Sequence, residues 1–254
     1  MFTEIILASF CGGLLCLDRV FIQAMISRPV IIAPIIGLLL HNPYAGMVIG
    51  AFVELIWIDR IPIGTYIPPN DSLTAVVATS TAVIAGHKLG GISPELIALS
   101  ILIAIPCGIL AKQMDILIIK SNDTLSDRAL VDAKRNNIRG IEQKNYLGLI
   151  KVFLFDVVYV LAILVIFIPS VIWLYPKLNA TVISTLSFTY YFLPLLGIAV
   201  AINMLKLQRA IPVFCAIFLV VAAQACSDLS SAQTRELSGE NYKVIFTGEF
   251  PGLS

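Results

Sequence analysis

The chain has 254 residues, of which 58% are hydrophobic and only 13% are charged, and its formal net charge is +1. Soluble domains carry roughly 25% charged residues, so this composition and the mean hydropathy of +0.93 exclude that class and indicate an integral membrane protein. Nucleic-acid binding is disfavoured, because no basic cluster is interleaved with aromatic residues.

The N-terminal third consists of short, interrupted apolar segments. The first segment is flanked by Glu4 and by no lysine or arginine, so we expect it to belong to the mature membrane domain rather than to a secretory signal. Pro29 and Pro43 each predict the start of a new helix, because proline disfavours helix just before itself. Segments of half the spanning length indicate re-entrant or discontinuous helices. The predicted segments are 5–17, 29–40, 43–58 and 73–86.

The rest of the chain is more regular. Residues 92–119 form a long apolar run, which we expect to be a helix kinked at Pro106. The hydrophilic segment 120–146 follows, and from Lys120 to Lys151 there are seven Lys or Arg against four Asp or Glu, so the positive-inside rule predicts a cytoplasmic loop. Further spans are predicted at 147–174, 181–204 and 211–226. Residues 1–226 then form a membrane transport domain, and 227–254 form a polar, disordered tail.

No motif of soluble-enzyme chemistry occurs in the sequence, and no catalytic residue, cofactor or metal site is predicted. The five cysteines lie in apolar segments or at the end of one, and none forms a CxxC pair. We therefore interpret them as small hydrophobic residues rather than as metal ligands or a disulfide framework.

The most unusual stretch extends from Gly46 to His87. Gly46, Gly50 and Glu54 are spaced four apart and share one helix face, where the glycines allow close approach of another helix or of a substrate. An ionisable group within a membrane segment usually faces a cavity or a partner. Glu54 is therefore interpreted as a polar-cavity residue or as one half of a structural ion pair with an arginine.

A loop ending in Pro-Pro-Asn-Asp-Ser precedes the helix predicted at 73–86. Asn70 and Asp71 suit helix capping, and they also offer an amide and a carboxylate to a hydroxyl-rich ligand. The two interpretations are compatible, since capping uses only one of the side chains. His87, at the far end of this helix, is either an interfacial cap or a polar-site residue. Upstream of the loop, Asp59 and Arg60 are expected to form an ion pair.

From Arg28 to His87 the sequence resembles the membrane subunit IIC of the mannose/fructose/sorbose family of the bacterial phosphotransferase system. A weaker similarity covers Ile202-Asn203-Met204. The residues that carry the main resemblance are Arg28-Pro29, Gly46, Gly50, Glu54-Leu55, Ile63-Gly64, Pro69-Asn70-Asp71 and Val83-Ile84-Ala85-Gly86-His87.

The resemblance implies an all-α, multi-pass subunit that translocates a hexose and is not itself an enzyme. A second membrane subunit, IID, would complete the permease, and cytoplasmic IIA and IIB units would carry phosphate to the sugar. We also expect an oligomer in the bacterial cytoplasmic membrane. Sugar contacts are expected from Glu54, Asn70, Asp71 and His87.

Two departures from the family pattern keep an alternative open. The sequence turns polar after residue 226, where the family usually continues with an apolar stretch, and Asp59-Arg60 replaces an apolar, glycine-containing region. A divergent or C-terminally shortened member could therefore serve as a regulatory or assembly subunit that kept the fold without transport.

Overall fold

A computed structural model describes residues 1–60, 66–204, 212 and 215–224, with the backbone only at 203 and 204. These residues form helices and connecting turns, and no strand occurs among them. Residues 1–201 form one compact unit. The helices are α1 (Phe2–Cys16), α2 (Pro29–Leu39), α3 (Pro43–Ile56), α4 (Asp71–Leu89), α5 (Pro94–Lys134), α6 (Ile138–Leu174), α7 (Ala180–Met204) and α8 (Cys215–Gln224), with short 3-10 helices at Leu17–Arg19 and Tyr175–Lys177.

Residues 202–204, 212 and 215–224 belong to a second unit. The predicted tail, 227–254, and the motif residues Ile63-Gly64 lie outside the described residues, as does the side chain of Asn203. The prediction of a disordered tail therefore stays a prediction.

Among the described residues, three helices are long and apolar enough to cross a membrane: Pro94–Lys134, Ile138–Lys177 and Ala180–Ile202. Shorter helices occupy the N-terminal third, with 11 residues in α2 and 14 in α3. The chain is thus an all-α, multi-pass membrane protein with short, discontinuous helices in its first third, which confirms the predicted fold class.

The half-length helices begin where the prolines predict. Pro29 and Pro43 are the first residues of α2 and α3, and the Oδ1 of Asn42 caps α3 by accepting the Ala45 N–H at 3.0 Å. The glycine face of α3 packs against α2: a Cβ on Gly46 or Gly50 would collide with a backbone carbonyl oxygen of that helix. The glycines therefore serve close helix packing, one of the two roles predicted for them.

Helix α4 lies at the centre of the bundle, in contact with α1, α2, α3, α5 and α6. Every residue from Ser72 to Gly86 is buried. The helix ends at Gly90, whose φ of 91° requires the left-handed conformation that glycine adopts readily. Because its neighbours surround α4, its modest apolar character is compatible with a place inside a membrane bundle.

The segment predicted as a loop at 120–146 is instead a helical hairpin. Helix α5 continues to Lys134, runs through Pro106 without a break, and is followed by α6 from Ile138. An ion pair between Lys144 and Asp132 joins the two arms. At about 1.5 Å per residue, α5 is roughly twice as long as a bilayer core is thick. Its polar end therefore extends beyond the apolar span, where water can solvate it.

A carboxylate organises the connection between α1 and α2. Asp18 accepts backbone N–H bonds from Ala24 at 2.9 Å, Ile26 at 2.8 Å and Ser27 at 3.3 Å. Burial acts to raise the pKa of Asp18, but these donors stabilise the carboxylate and lower its pKa below the ordinary value. One acidic side chain thus satisfies three otherwise unpaired donors.

Candidate functional site

The N-terminus of α4 is built around Asn70. Its Oδ1 accepts the Leu73 N–H at 3.0 Å, which caps the helix, while its Nδ2 donates to the Oδ2 of Asp115 at 3.0 Å. Only 3% of Asn70 is exposed. Capping was predicted, but the link to Asp115 on α5 was not. Asn70 thus fixes the start of one helix and joins it to another.

Gly108 of α5 makes this junction possible. Its carbonyl oxygen accepts the Asn70 N–H at 3.0 Å, and a Cβ at Gly108 would collide with the hydroxyl of Thr74. Both Gly108 and Asp115 lie in the apolar run 92–119 of α5. The polar start of α4 is therefore buried alongside a membrane-spanning stretch, as in discontinuous helices that form polar sites within a bilayer.

Asp71 is the first residue of α4. Its Oδ1 accepts the backbone N–H of Ser72 at 2.9 Å and lies 3.4 Å from the Ser72 hydroxyl. The side chain is half-buried and lies within electrostatic range of Asp115 and Glu54. The two neighbouring motif residues, Asn70 and Asp71, therefore present an amide and a carboxylate at one helix N-terminus.

Glu54, at the end of α3, forms an ion pair with Arg28, with Nη1 and Oε1 3.0 Å apart. The predicted pairing with an arginine thus occurs. Its other oxygen, Oε2, is buried and makes no hydrogen bond of normal geometry among the described residues, although the Val30 N–H in the first turn of α2 faces the carboxylate. An acceptor oxygen is therefore left in a polar region near Asp71, so the ion pair and the polar-cavity role coexist.

The remaining predicted residues lie apart from this junction. Asp59 and Arg60 form the predicted ion pair at 3.4 Å, with the Arg60 guanidinium 3.5 Å from the Tyr66 hydroxyl. His87 is exposed at the opposite end of α4, about 24 Å along the helix axis from Asp71. A hexose is far shorter than that distance, so the structure does not bring His87 together with the other three candidates.

Three polar residues near the junction escaped the sequence analysis. Asp115 of α5, Asp156 of α6 and Arg19 of the first 3-10 helix lie within electrostatic range of one another. A signal for two of them was present, because Asp115 is an acidic residue deep inside the apolar run 92–119 and Asp156 is the one acidic residue of the run 147–174. We call Asp71, Asp115, Asp156 and Arg19, which are buried or half-buried, the charge cluster.

The fold and the polar junction define a multi-pass membrane protein of the transporter class. The model of the family described as the phosphotransferase system sorbose-specific IIC component matches residues 2–232. The chain belongs to this family. The resemblance seen in the sequence is confirmed.

Two curated relatives agree with this assignment. The chain is 34% identical over 61 residues to the putative N-acetylgalactosamine permease IIC component 2 of Escherichia coli (strain K12), a match that covers 24% of this chain and 46% of that protein. It is 21% identical over 219 residues to the fructose permease IIC component of Bacillus subtilis (strain 168), covering 86% of this chain and 78% of the relative. The first match thus spans about half of that relative.

Two solved structures share the fold. One, described only as a membrane protein, has a TM-score of 0.67 and 19% identity, covering 95% of this chain and 98% of that one. The other is the mannose transporter ManYZ in complex with microcin E492, with a TM-score of 0.58 and 21% identity, covering 92% and 94% of the two chains. At these identities the likeness shows the fold alone.

Proposed function

We propose that the chain carries a hexose across the bilayer through a site at the N-terminus of α4, with Asn70, Asp71 and Glu54 as its polar contacts. The observation that carries the proposal is the place of this N-terminus, buried against the apolar run of α5 in a member of a sugar-permease family. The carboxylates would accept bonds from sugar hydroxyls, and the Asn70 amide retains donor capacity beyond its bond to Asp115. His87 lies too far away to contact the same sugar.

The proposal includes partners. A IID-type membrane subunit would complete the permease. The name of the mannose transporter ManYZ, whose fold this chain shares, combines two components, Y and Z, which agrees with a second subunit. Phosphoryl transfer would take place on cytoplasmic IIA and IIB subunits, because the chain offers no recognisable phosphoryl-acceptor motif. The complex would be an oligomer in the bacterial cytoplasmic membrane, with the hairpin between α5 and α6 on the cytoplasmic side, as its positive charge favours.

An uptake assay tests this function. The chain is co-expressed with its IIA, IIB and IID partners in cells that lack other hexose permeases, and phosphoenolpyruvate-dependent uptake of labelled mannose, fructose, sorbose and N-acetylgalactosamine is measured. We expect at least one sugar to be taken up, and Glu54→Gln and Asp71→Asn to reduce its uptake by about tenfold or more, since each removes a charged acceptor. Lys88→Gln, at the exposed far end of α4, is the matched control.

The same cells separate transport from the alternative, regulatory role. If all four sugars are excluded while the complex with IID copurifies intact, transport by this chain is contradicted and an assembly role is favoured. If uptake persists unchanged in both site variants at wild-type expression, the placement of the site is wrong although the function stands.

A further inference from the structure

We propose that Asp156 is an additional sugar-binding residue, and that together with Asp115 and Arg19 it extends the sugar site beside Asn70 and Asp71. This inference rests on the proposed function, since it adds contacts to the same site. Neither the motif that carries the family resemblance nor the sequence analysis includes these three residues.

The first observation is that the buried carboxyl group of Asp156 is unpaired among the described residues. Its residue surface is only 4% exposed, yet neither a hydrogen bond nor a salt bridge pairs its carboxyl group within the part of the chain that the structure describes. Buried polar groups in proteins are almost always hydrogen-bonded, and an ionisable group inside a membrane segment usually faces a partner or a polar cavity. The missing partner of Asp156 is therefore water or a ligand.

The second observation is which charged groups lie near Asp156. Its strongest charge interactions are with Asp115 and Arg19. Cys16, at the end of α1, lies within range of the same three groups and of Asp71 as well. These elements surround the N-terminus of α4, so the unpartnered carboxyl group belongs to the region that holds Asn70 and Asp71.

Neighbouring contacts hold Asp156 in place. One turn further along α6, the Tyr159 hydroxyl donates to the Cys107 carbonyl oxygen at 2.5 Å, which joins α6 to α5 next to Gly108. On the other side, Gly13 of α1 approaches the backbone of Val157 so closely that a Cβ there would lie 3.1 Å from the Val157 nitrogen. Helix α6 is thus fixed against two neighbours on either side of Asp156, and its carboxyl position is preorganised.

The chemistry of the cluster suits a polyol. Carboxylate oxygens accept bonds from hydroxyl groups, and a guanidinium donates to hydroxyl oxygens, so a hexose could satisfy acceptors and donor together. The cluster does not have metal-ligating geometry: no group of three or more His, Cys, Asp or Glu among the described residues is placed to hold a metal ion. A sugar that contacts this cluster, which includes Asp71 of α4, would engage four elements: α4, α5, α6 and the 3-10 helix that carries Arg19.

The test compares sugar affinity with stability. Wild type, Asp156→Asn and Asp156→Leu are purified as complexes with IID in lipid nanodiscs, and binding of mannose, fructose, sorbose and N-acetylgalactosamine is measured by calorimetry. We expect Asp156→Leu to weaken binding about 10- to 100-fold, as expected when a charged hydrogen-bond partner is lost, and Asp156→Asn to lie between. Without sugar, Asp156→Leu should raise the melting temperature by a few degrees, because it removes an unpaired buried carboxyl group.

A packing control separates binding from structure. Val160→Ala, one turn away and also buried, should lower the melting temperature while sugar affinity stays within about twofold of wild type. If Asp156→Leu binds sugar as tightly as wild type, or destabilises the sugar-free complex as Val160→Ala does, Asp156 is structural and the inference is overturned. If wild type binds none of the four sugars, the proposed function fails and this inference fails with it.

Discussion

The side chain of Asn70 has two separable structural roles, capping α4 and bonding to Asp115. Asn70→Ser keeps a capping oxygen and removes the amide that reaches Asp115, whereas Asn70→Ala removes both. A lost cap costs about 1 kcal/mol, and side-chain hydrogen bonds inside membrane proteins contribute about 0.6 and at most about 1.7 kcal/mol. We therefore expect losses in unfolding free energy of about 1 kcal/mol for Asn70→Ser and about 2 kcal/mol for Asn70→Ala.

Intrinsic fluorescence gives a local readout of this junction. The chain has two tryptophans, and the ring of Trp57 lies 3.0 Å from the position that a Cβ on Gly108 would occupy, beside the carbonyl of Asn70. In a Trp173→Phe background, Trp57 alone reports unfolding in detergent. The measurement is made without sugar, so that a lost ligand contact cannot contribute.

A double-mutant cycle with Asp115→Leu isolates the bond between the two side chains. If the bond contributes as inferred, the Asn70→Ser and Asp115→Leu effects should be non-additive by about 1 kcal/mol, because the second substitution removes a partner that is already lost. Additive effects, or an Asn70→Ser variant as stable as wild type, would refute the assigned link between α4 and α5, whereas equal losses for Asn70→Ser and Asn70→Ala would contradict the cap.

Three further predictions concern the scaffold, each read out by thermal unfolding of the detergent-solubilised protein. Gly50→Ala should lower the free energy of unfolding by about 1–3 kcal/mol, because its methyl group meets the Pro29 carbonyl oxygen. The control Gly148→Ala, whose Cβ would lie 3.7 Å from its nearest neighbour, should be neutral or stabilising. Equal effects of the two substitutions would contradict the packing argument. Gly90→Ala should cost about 1 kcal/mol from its positive φ alone, since nothing lies within 4 Å of the added Cβ, and an unchanged melting temperature would argue against that conformation. The lowered pKa of Asp18 means that its carboxylate binds a proton less readily in the folded protein than in the unfolded chain. Ionised Asp18 therefore stabilises the fold fully above its pKa in the unfolded chain, about 3.9, and this stabilisation is lost as the pH falls through the lowered pKa of the folded state. A scan from about pH 6 to pH 3 should therefore be less steep in Asp18→Asn than in wild type, and parallel curves would contradict this.

Local rules predicted the short helices well. Pro29 and Pro43 begin helices because proline fixes its own backbone and restricts the residue before it, and Asn70 caps α4 as its side chain favours. The prediction of a loop at 120–146 is wrong, because polarity by itself does not end a helix. Polarity ends a membrane span, but a helix without a breaker continues into water.

The sequence by itself determined the membrane class, the family and the segment boundaries in the first third, and it singled out Glu54, Asn70 and Asp71 as candidates, because these follow from composition and from motifs within one stretch. Only the tertiary structure decided which residues meet. It placed His87 at the opposite end of α4 from Asp71, paired Glu54 with Arg28, and brought Asp115 to the start of α4, within electrostatic range of Asp156. Those positions depend on how α4, α5 and α6 pack in three dimensions. Asp115 lies 45 positions after Asn70 in the chain, and Asp156 lies 86 positions after it. In a single sequence, no periodicity or motif connects residues so far apart.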